Sequence, residues 1–569
     1  MAPCCSVRPR ESVESLGMVI CDPSVLPLSQ LEVLVIDCQA TGAAPRGHLL
    51  EIAWARSRTT VIHARAHLIA LSRDEKIPPA VARITGISES MMRDGVDAHL
   101  AWSELADDAA RLTPQPAPTV IHFARFEQPF LRILAGGEPQ LDIVCTHDIA
   151  RRLFPELPRR SLRALAGYLG RGVGSLRRSA DHVEATAFLW QELVHRLEDE
   201  RVATWGALRE WLATPVDSRK RPRRVWPMPR EMRLSLPKRP GVYRMLRTSG
   251  DVLYVGKASS LHDRVNSHFR KQHGVDERTL EMLSQARAIS FNVTATPLEA
   301  ALLETDEIKR HRPPYNLALT IDDRAIWFAS PDLNERSPRP SQRCPLGPLV
   351  SVVTLDQFEA LGRADRAALA SGRWGPDPAT FRAGYERLCA THRELSRLEL
   401  APHARLLRMG TRLWREGRRG RDVDDDQDGM ETDRGDTAWT PELVHVSLEW
   451  LALRAALACR RAMWLTRLVD ASVVWREPGA ARARLMVIER GEIVLGSDAD
   501  PNETPPIPPG YQRPMMDRRE LFTIASFDRL RVLTTELKRL VWAGTPVALR
   551  LRSGPALADD RLAAALWWV

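Results

Sequence analysis

The sequence predicts a multidomain α/β protein that ends in a mostly helical C-terminal region. The chain has 569 residues, whereas a single hydrophobic core rarely extends past about 250–300 residues. Apolar β-rich runs and segments of helical periodicity both occur before residue 320, and helical periodicity dominates after residue 345. We therefore expect about three folded regions separated by polar segments.

The composition favours a reduced, cytoplasmic protein with a polyanionic partner. The net charge is +9 and the isoelectric point is near 9.3, which suits nucleic-acid binding. The eight cysteines form no Cys-x-x-Cys pair, which argues against a zinc ribbon or an iron–sulfur cluster. We find no run of about 18 apolar residues, so no membrane segment is expected. The N-terminus shows no secretory signal.

Residues 31–200 have the pattern of one α/β domain, preceded by a leader at 1–30 that we expect to be flexible. Strands followed by helices within one segment of this length favour an α/β fold. Strands are predicted at 31–36, 49–55 and 61–68, and helices at about 99–112, 125–136, 142–153, 161–170 and 181–198.

Residues 214–237 form a basic, proline-rich segment that we interpret as an exposed linker. An arm that contacts phosphates is the alternative, since each neutralised phosphate adds salt-sensitive affinity. A compact α/β unit follows at 238–320. The C-terminal region at 345–569 has helical patterns at 352–418, 441–469 and 526–542, a hairpin at 485–495, and an acidic segment at 422–436 that we expect to be a disordered loop.

The unit at 238–320 contains several motifs in a fixed order. Two strands joined by a turn at 249–251 should form a hairpin that brings Tyr243 and Tyr254 close together. A helix from about Ser259 and a strand at 289–293 follow, and a helix at 297–311 has proline at its first position. The motifs are Gly241-Val242-Tyr243, Tyr254-Val255-Gly256-Lys257-Ala258, Leu261 to Arg264-Val265, Glu299-Ala300-Ala301-Leu302-Leu303-Glu304, and Ile308-Lys309 to Tyr315-Asn316.

These motifs resemble the GIY-YIG nuclease family, and in particular the incision module of the excinuclease subunit UvrC and its stand-alone relative Cho. The resemblance implies metal-dependent hydrolysis of phosphodiester bonds, with Mg²⁺ or Mn²⁺ as the cofactor. Such cleavage needs an aligned nucleophile, charge neutralisation at the phosphoryl oxygens and help for the leaving oxygen.

The resemblance assigns three residues to the nucleophile. Tyr254 would activate or position the attacking water, and Tyr243 would lie beside it. Lys257 would tune the pair, because a nearby cation favours a phenolate.

Four further residues complete the site that the resemblance implies. Arg264 would hold the scissile phosphate with its planar guanidinium, Glu304 would bind one divalent ion, and Asn316 would support the site by hydrogen bonding. His268 departs from the family, in which tyrosine is often found four residues after the arginine. Histidine can still hydrogen-bond or shuttle a proton.

Residues 31–200 resemble the DnaQ-like, or DEDDh, 3′–5′ exonucleases, which implies an RNase H-like fold. This family holds two divalent ions with four carboxylates and uses a histidine base. The resemblance is carried by Val35-Ile36-Asp37-Cys38-Gln39-Ala40-Thr41-Gly42, by Ile121-His122-Phe123-Ala124-Arg125-Phe126-Glu127, and by Arg177-Arg178-Ser179-Ala180-Asp181-His182-Val183-Glu184-Ala185-Thr186.

The exonuclease site that this resemblance implies is degenerate. Asp37 is present, but Gln39 stands where Glu is expected, Glu127 where Asp is expected, and His182 at the last Asp position. Arg177 occupies the place of the histidine base and cannot accept a proton near neutral pH. Two divalent ions would therefore lack compensating carboxylates.

We accordingly expect an exonuclease-like domain that docks DNA without cutting it, with Arg177 contacting phosphate as a substrate-binding residue. A rearranged active site that uses His122, Asp181 or His182 is the alternative.

The sequence as a whole predicts a bacterial fusion of both domains that acts as a DNA-repair endonuclease. DNA is the expected partner, no membrane is involved, and nucleotide excision repair proteins as further partners are left open. The region at 345–569 carries no recognisable catalytic motif. Two alternatives stay open: a 3′–5′ exonuclease with an accessory GIY-YIG domain, and a non-catalytic scaffold that binds nucleic acid.

Overall fold

The computed structural model describes the greater part of the chain. The described residues are 26–58, 63–72, 75–172, 174, 176–215, 225–270, 276–316, 324–329, 336–350, 378–391, 440–494, 497–500, 503–509, 519–520, 522–552 and 554–567. The predicted acidic loop at 422–436 and most of the predicted leader therefore lie outside the described residues. Of the helical pattern at 352–418, only 378–391 is described, and it is a helix.

The chain divides into two compact units. The first unit comprises residues 1–235, 245–254 and 266–290, and the second comprises 236–244, 255–265 and 291–569. Both units include residues of the segment 238–320, because the boundaries between them fall within it.

A five-stranded sheet forms the centre of the first unit, in the order β3-β2-β1-β4-β5. Strand β1 pairs antiparallel with β2 and parallel with β4, and β4 pairs parallel with β5. The strands are β1 (Val33–Ala40), β2 (Leu49–Ser57), β3 (Arg65–Leu68), β4 (Ala117–Ile121) and β5 (Leu141–Cys145).

Helices cover both faces of this sheet. Val33 and Val35 of β1 belong to one core cluster and Leu34 and Ile36 to another, so successive residues are buried on opposite faces. The helices of the first unit are α1 (Pro79–Thr85), α2 (Ala98–Ala110), α3 (Ala124–Ala135), α4 (Thr146–Leu153), α5 (Leu162–Tyr168), α6 (Ser179–Asp199), α7 (Trp205–Ala213), α8 (Arg230–Leu234) and α10 (Glu277–Gln285), with α9 (Leu261–Arg270) shared between the units.

One predicted helix of this region is partly wrong. The pattern at 142–153 was expected to be helical throughout, but Leu141–Cys145 forms β5 and the helix begins at Thr146. Ile143 and Val144 are β-branched and pair with β4, and periodicity alone cannot separate a short buried strand from a helical turn. Strand β4 was not predicted at all.

The described end of the predicted linker at 214–237 packs against its surroundings. Residues 216–224 lie outside the described part, whereas Met228 is buried. The ring centroid of Trp226 lies 5.5 Å from that of Phe269, edge to face.

The segment 238–320 forms a three-stranded sheet in the order β7-β6-β8. Its strands are β6 (Gly241–Leu246), β7 (Val252–Ala258) and β8 (Ala288–Val293), and α11 spans Pro297–His311 as predicted. Helix α9 begins at Leu261, two residues later than expected. A Cβ at Gly241 would lie 2.2 Å from the carbonyl oxygen of Asn292, so only glycine allows this approach of β6 to β8.

The described part of the C-terminal region contains the predicted helices at 441–469 and 526–542 and, in addition, an antiparallel sheet of which the sequence indicated only one hairpin. The sheet has the order β14-β13-β12-β16-β17, with β15 beside β13, and a smaller sheet has the order β10-β9-β11. The elements are β9 (Trp327–Ala329), β10 (Arg336–Ser337), β11 (Leu346–Leu349), α12 (Pro378–Thr391), α13 (Pro441–Leu468), β12 (Ala471–Trp475), β13 (Ala483–Glu489), β14 (Glu492–Val494), β15 (Asp498–Ala499), α14 (Ile524–Trp542), β16 (Val547–Leu551), β17 (Ala556–Ala558) and α15 (Asp559–Trp567).

Candidate nuclease sites

Strand β7 carries two of the predicted catalytic side chains. Leu253 and Val255 are buried while Tyr254 is half-buried, as expected for alternating side chains. The alternation of buried and half-buried residues is interrupted at Gly256, because Val255 and Gly256 are both buried. The next residue, Lys257, is half-buried. Both Tyr254 and Lys257 therefore keep part of their surface accessible.

Tyr254 lies beside the residue that departs from the family pattern. Its ring centroid is 6.0 Å from that of His268 in α9, and the two rings meet edge to face. Both residues belong to the first unit. An edge-to-face contact of this kind restricts the orientation of the phenol ring.

Asn316 fixes the backbone of β7. Its Oδ1 accepts a hydrogen bond from the Val255 N–H at 2.9 Å, and its Nδ2 donates to the Val255 carbonyl at 2.9 Å. Asn316 thus forms a two-point clamp on the strand.

In the second unit, Lys257 and Glu304 lie side by side. The backbone N–H of Lys257 donates to Oε1 of Glu304 at 2.8 Å. Arg264 is exposed on α9, whereas Tyr243 is completely buried. The exposed arginine is accessible to a phosphate, and the buried tyrosine is not.

The pKa of Glu304 is raised above its ordinary value. Burial is the main cause, and the charge of Glu536 adds to it. The backbone N–H and the ammonium of Lys257, together with the charge of Arg264, act in the opposite direction without reversing the shift. Glu304 is thus a partly desolvated carboxylate among fixed charges, which is typical of functional sites.

Glu536 of α14 is a residue of this site that the sequence analysis missed. Its Oε1 lies 2.6 Å from Nζ of Lys257, and its Oε2 accepts from Nε of Arg539 at 2.7 Å. One signal was present in the sequence: Glu536 interrupts the apolar stripe formed by Leu533, Leu537 and Leu540. A charged residue at such a position requires a partner.

Glu299 in the same helix as Glu304 has a structural role. It accepts from the Ala295 N–H at 3.1 Å and from Nε of Arg484 at 2.8 Å. These contacts stabilise the start of α11 and join it to β13.

In the exonuclease-like domain, Asp37 is bound by side chains rather than left open. Nδ1 of His182 lies 3.0 Å from Oδ1 of Asp37, and Nε2 of Gln39 donates to Oδ2 at 3.5 Å. Burial lowers the pKa of His182, but the charge and hydrogen bond of Asp37 outweigh it and raise that pKa above its ordinary value. Asp37 and His182 are therefore hydrogen-bonded, and protonation of His182 makes the contact an ion pair.

Glu127 and His122 lie deep in the same domain. Burial raises the pKa of Glu127 well above its ordinary value, and the charges of Asp37 and Cys145 raise it further. Burial also lowers the pKa of His122 to about 3. His122 places Nδ1 2.8 Å from Oγ1 of Thr146. Burial therefore disfavours the charged form of both groups.

Besides His182, the third exonuclease motif places Arg177, Arg178 and Asp181 in different surroundings. Arg177 is exposed, and Asp181 accepts the backbone N–H groups of Arg177 and Arg178 at 3.3 and 3.2 Å, as a helix cap does. The guanidinium of Arg178 binds the carboxylate of Glu51, which is buried in β2. This Arg178–Glu51 pair was not predicted from the sequence.

The donor sets of the two sites differ in their suitability for divalent ions. Among the described residues, no group of three or more His, Cys, Asp and Glu side chains is arranged to hold a metal ion. Mg²⁺ commonly uses one or two carboxylates together with substrate phosphates and water. The half-buried carboxylate of Glu304 fits one such ion, whereas Asp37 is hydrogen-bonded by His182 and Gln39.

The described helices are all too short or too polar to cross a lipid bilayer.

Comparisons with known proteins agree with both predicted domains. A family model described as a UvrC-like GIY-YIG domain matches residues 239–317, and an exonuclease family model matches residues 34–175. A bifunctional exonuclease/endonuclease protein of Mycobacterium tuberculosis (strain CDC 1551 / Oshkosh) is 32% identical over 326 residues, which cover 54% of this chain and 47% of that protein.

UvrABC system protein C of Dehalococcoides mccartyi (strain BAV1) is 41% identical over 105 residues, or 18% of this chain and 17% of that protein. The chain thus matches about half of the mycobacterial relative and about a sixth of the second protein. The N-terminal endonuclease domain of UvrC from Thermotoga maritima, solved with bound magnesium, is 33% identical over 16% of this chain and 94% of that chain, with a TM-score of 0.14. The two family models thus identify an exonuclease domain and a UvrC-like GIY-YIG domain in this chain.

Proposed function

We propose that the protein is a cytoplasmic DNA-repair endonuclease that nicks DNA through its GIY-YIG domain, while its exonuclease-like domain docks DNA without cutting it. The observation that carries this proposal is the arrangement on and around β7. Tyr254 and Lys257 are both partly accessible, Asn316 clamps the strand between them, and Glu304 accepts the backbone of Lys257.

Each residue of the proposed site has a role that follows from its surroundings. Tyr254, oriented by His268, holds and activates the attacking water. Arg264 is exposed and supplies a planar cation for the non-bridging phosphate oxygens. A divalent ion bound at Glu304 would supply Lewis-acid charge to the scissile phosphate. Tyr243 is completely buried, so we assign to it support of the sheet rather than contact with DNA.

The exonuclease alternative is disfavoured by the contacts of Asp37. A pair of divalent ions needs several ionised carboxylates, but Asp37 is paired with His182 and hydrogen-bonded by Gln39. Glu127 is buried with a raised pKa, so its ionised form is disfavoured at this position. We infer that this site is filled by internal ion pairing and hydrogen bonding instead of metal.

A nicking assay tests the proposal. Supercoiled plasmid, plain or carrying bulky lesions, is incubated with the full chain and Mg²⁺ or Mn²⁺, and end-labelled duplexes report the cleavage position. We expect internal nicks that Tyr254→Phe or Glu304→Gln reduces about 100-fold or more, as for loss of a major catalytic group. Asp37→Ala serves as the matched control and should still nick.

Stepwise trimming from a 3′ end that Asp37→Ala removes would favour the exonuclease alternative. Binding without any cleavage by the unaltered chain, under all metal conditions, would favour the scaffold alternative. Assays with and without nucleotide excision repair proteins show whether such partners are needed to load the enzyme.

A further inference from the structure

The side chain of Lys257 is held by a carboxylate that the C-terminal region supplies. Nζ of Lys257 lies 2.6 Å from Oε1 of Glu536, and Glu536 is only 5% exposed. The other oxygen of Glu536 accepts from Nε of Arg539 at 2.7 Å. One oxygen of Glu536 thus binds Lys257 of strand β7, and the other binds Arg539 of the same helix, α14.

Helix α14 is firmly attached to α11, the helix that carries Glu304. Leu298 and Leu302 of α11 share a hydrophobic core with leucines of α14, including Leu530 and Leu533. Arg529 of α14 also pairs with Asp306 of α11 at 2.5 Å. Because both apolar and ionic contacts join the helices, the position of Glu536 beside Lys257 is a fixed feature of the second unit.

Charges of both signs surround Glu304. Lys257 and Arg264 are cationic, Glu536 is anionic, and all three act electrostatically on Glu304. Without Glu536, the two cations Lys257 and Arg264 would act on Glu304 without the counter-charge that Glu536 provides. A divalent cation would then enter a region with excess positive charge, which Coulomb repulsion opposes.

We propose that Glu536 is the positioning residue and counter-charge that allows Lys257 and a divalent metal ion to occupy the same site. This inference rests on the proposed function, in which Glu304 binds the ion. Glu536 fixes the ammonium group and offsets its charge, so the repulsion between that group and the ion is reduced. The C-terminal region, which carries no recognisable catalytic motif, is then a necessary part of the nuclease.

Binding of Mn²⁺ to the full chain can be measured directly by electron paramagnetic resonance, which detects the free ion. This measurement tests the inference without relying on activity. We expect Glu536→Gln to weaken Mn²⁺ binding roughly 10-fold, as expected for an uncompensated charge a few ångströms away. Glu492→Gln is the matched control, because Glu492 also pairs with α14, at 2.8 Å from Arg529, but on the exposed surface. It should bind Mn²⁺ as the unaltered chain does.

A double variant separates a charge effect from a merely structural one. Lys257→Met combined with Glu536→Gln removes both members of the pair, so the repulsion between the Lys257 ammonium and the ion no longer exists. We expect Mn²⁺ binding in this double variant to return to within about threefold of the unaltered chain. Glu536→Asp keeps the charge and should lose less affinity than Glu536→Gln.

Unchanged or tighter Mn²⁺ binding in Glu536→Gln overturns the inference. A double variant that binds Mn²⁺ as weakly as Glu536→Gln also overturns it, since Glu536 would then act only through the fold. Retention of the bound Mn²⁺ in Glu304→Gln contradicts the proposed function instead, because that variant leaves the Lys257–Glu536 pair intact.

Discussion

Asn316 binds the backbone of Val255 at two points, with its Oδ1 2.9 Å from the amide nitrogen and its Nδ2 2.9 Å from the carbonyl oxygen. Val255 lies between Tyr254 and Lys257 in β7, so one amide side chain fixes the strand segment that carries both. A side chain that satisfies a donor and an acceptor of one residue sets the position of that residue more strictly than a single bond does.

We predict that Asn316→Ala destabilises the protein and impairs nicking together. Loss of two hydrogen bonds to a part-buried backbone should lower the free energy of unfolding by about 1–3 kcal/mol. Urea unfolding and the nicking assay measure the two effects. Asn292→Ala is the control, since Asn292 accepts from Arg244 at 2.8 Å on the exposed surface. Equal losses in both variants would argue against a special role for the clamp.

Asp528 in α14 provides a second prediction, about stability. This fully buried carboxylate lies 2.6 Å from Nζ of Lys309 and 2.7 Å from Nη2 of Arg324. Removal of one partner from a buried ion pair leaves uncompensated charge and typically costs about 3–5 kcal/mol. We therefore expect Asp528→Asn to lower the free energy of unfolding by that amount.

The control for this prediction is an exposed pair in the same unit. Asp498 lies 2.7 Å from Nη1 of Arg484, and its side chain is 54% exposed. Exposed pairs contribute about 0–1 kcal/mol, so Asp498→Asn should change the unfolding midpoint little. A comparable loss in both variants would show that burial of Asp528 does not govern its contribution.

The pairing of Asp37 with His182 predicts that added carboxylates would create a metal site. The combined substitutions Gln39→Glu and His182→Asp remove the groups that now bind Asp37. In the absence of metal, repulsion between carboxylates should destabilise the domain. Thermal unfolding with and without Mg²⁺ should therefore show a clear Mg²⁺-dependent stabilisation of the double variant.

The unaltered chain and His182→Gln are the controls for this experiment. Neither adds a carboxylate, so Mg²⁺ should not stabilise their exonuclease-like domain. Release of nucleotides from a labelled single strand by the unaltered chain would show that the domain is already an active exonuclease.

His122 makes the stability of the protein depend on pH. Its pKa is lowered from 6.5 to about 3, chiefly by burial and then by the charges of His147 and His182. Between these pH values the unfolded chain binds more protons at this residue than the folded chain does. Stability should therefore fall as the pH falls from 6.5 towards 3, by at most about 1.4 kcal/mol per pH unit from this residue.

Urea unfolding over this pH range, with the unaltered chain and His122→Gln, isolates the contribution. The substituted chain should show a shallower loss of stability towards acid. His182 has the opposite sign, because its folded pKa is raised and its stabilisation is present at low pH and lost as the pH rises through that pKa. An unchanged slope in His122→Gln would contradict the assignment of His122.

The sequence was most informative where structure follows from short-range patterns. The predicted helix at 297–311 and the helix at 441–469 agree with the observed bounds within one residue. Their apolar repeats and end residues lie within a few turns of one another, so the pattern is local. Strand β5 was missed because a five-residue buried run has no distinctive period.

The candidate sites divide in the same way. The order of motifs along the chain was sufficient to recognise both domains and to nominate Tyr254, Glu304 and Asn316. The sequence also showed that the exonuclease motif lacks expected carboxylates. It could not show that His182 fills part of the gap by pairing with Asp37, because these residues are 145 positions apart.

The sequence by itself thus determined which domains this protein contains, since residue identity and spacing within each motif specify the local chemistry. Only the tertiary structure decided which charged side chains form ion pairs with each other. Lys257 and Glu536 are separated by 279 positions, and no pattern near either residue specifies the other. Their pairing follows from the packing of α14 on α11, and packing between distant segments depends on shape and burial across the whole core.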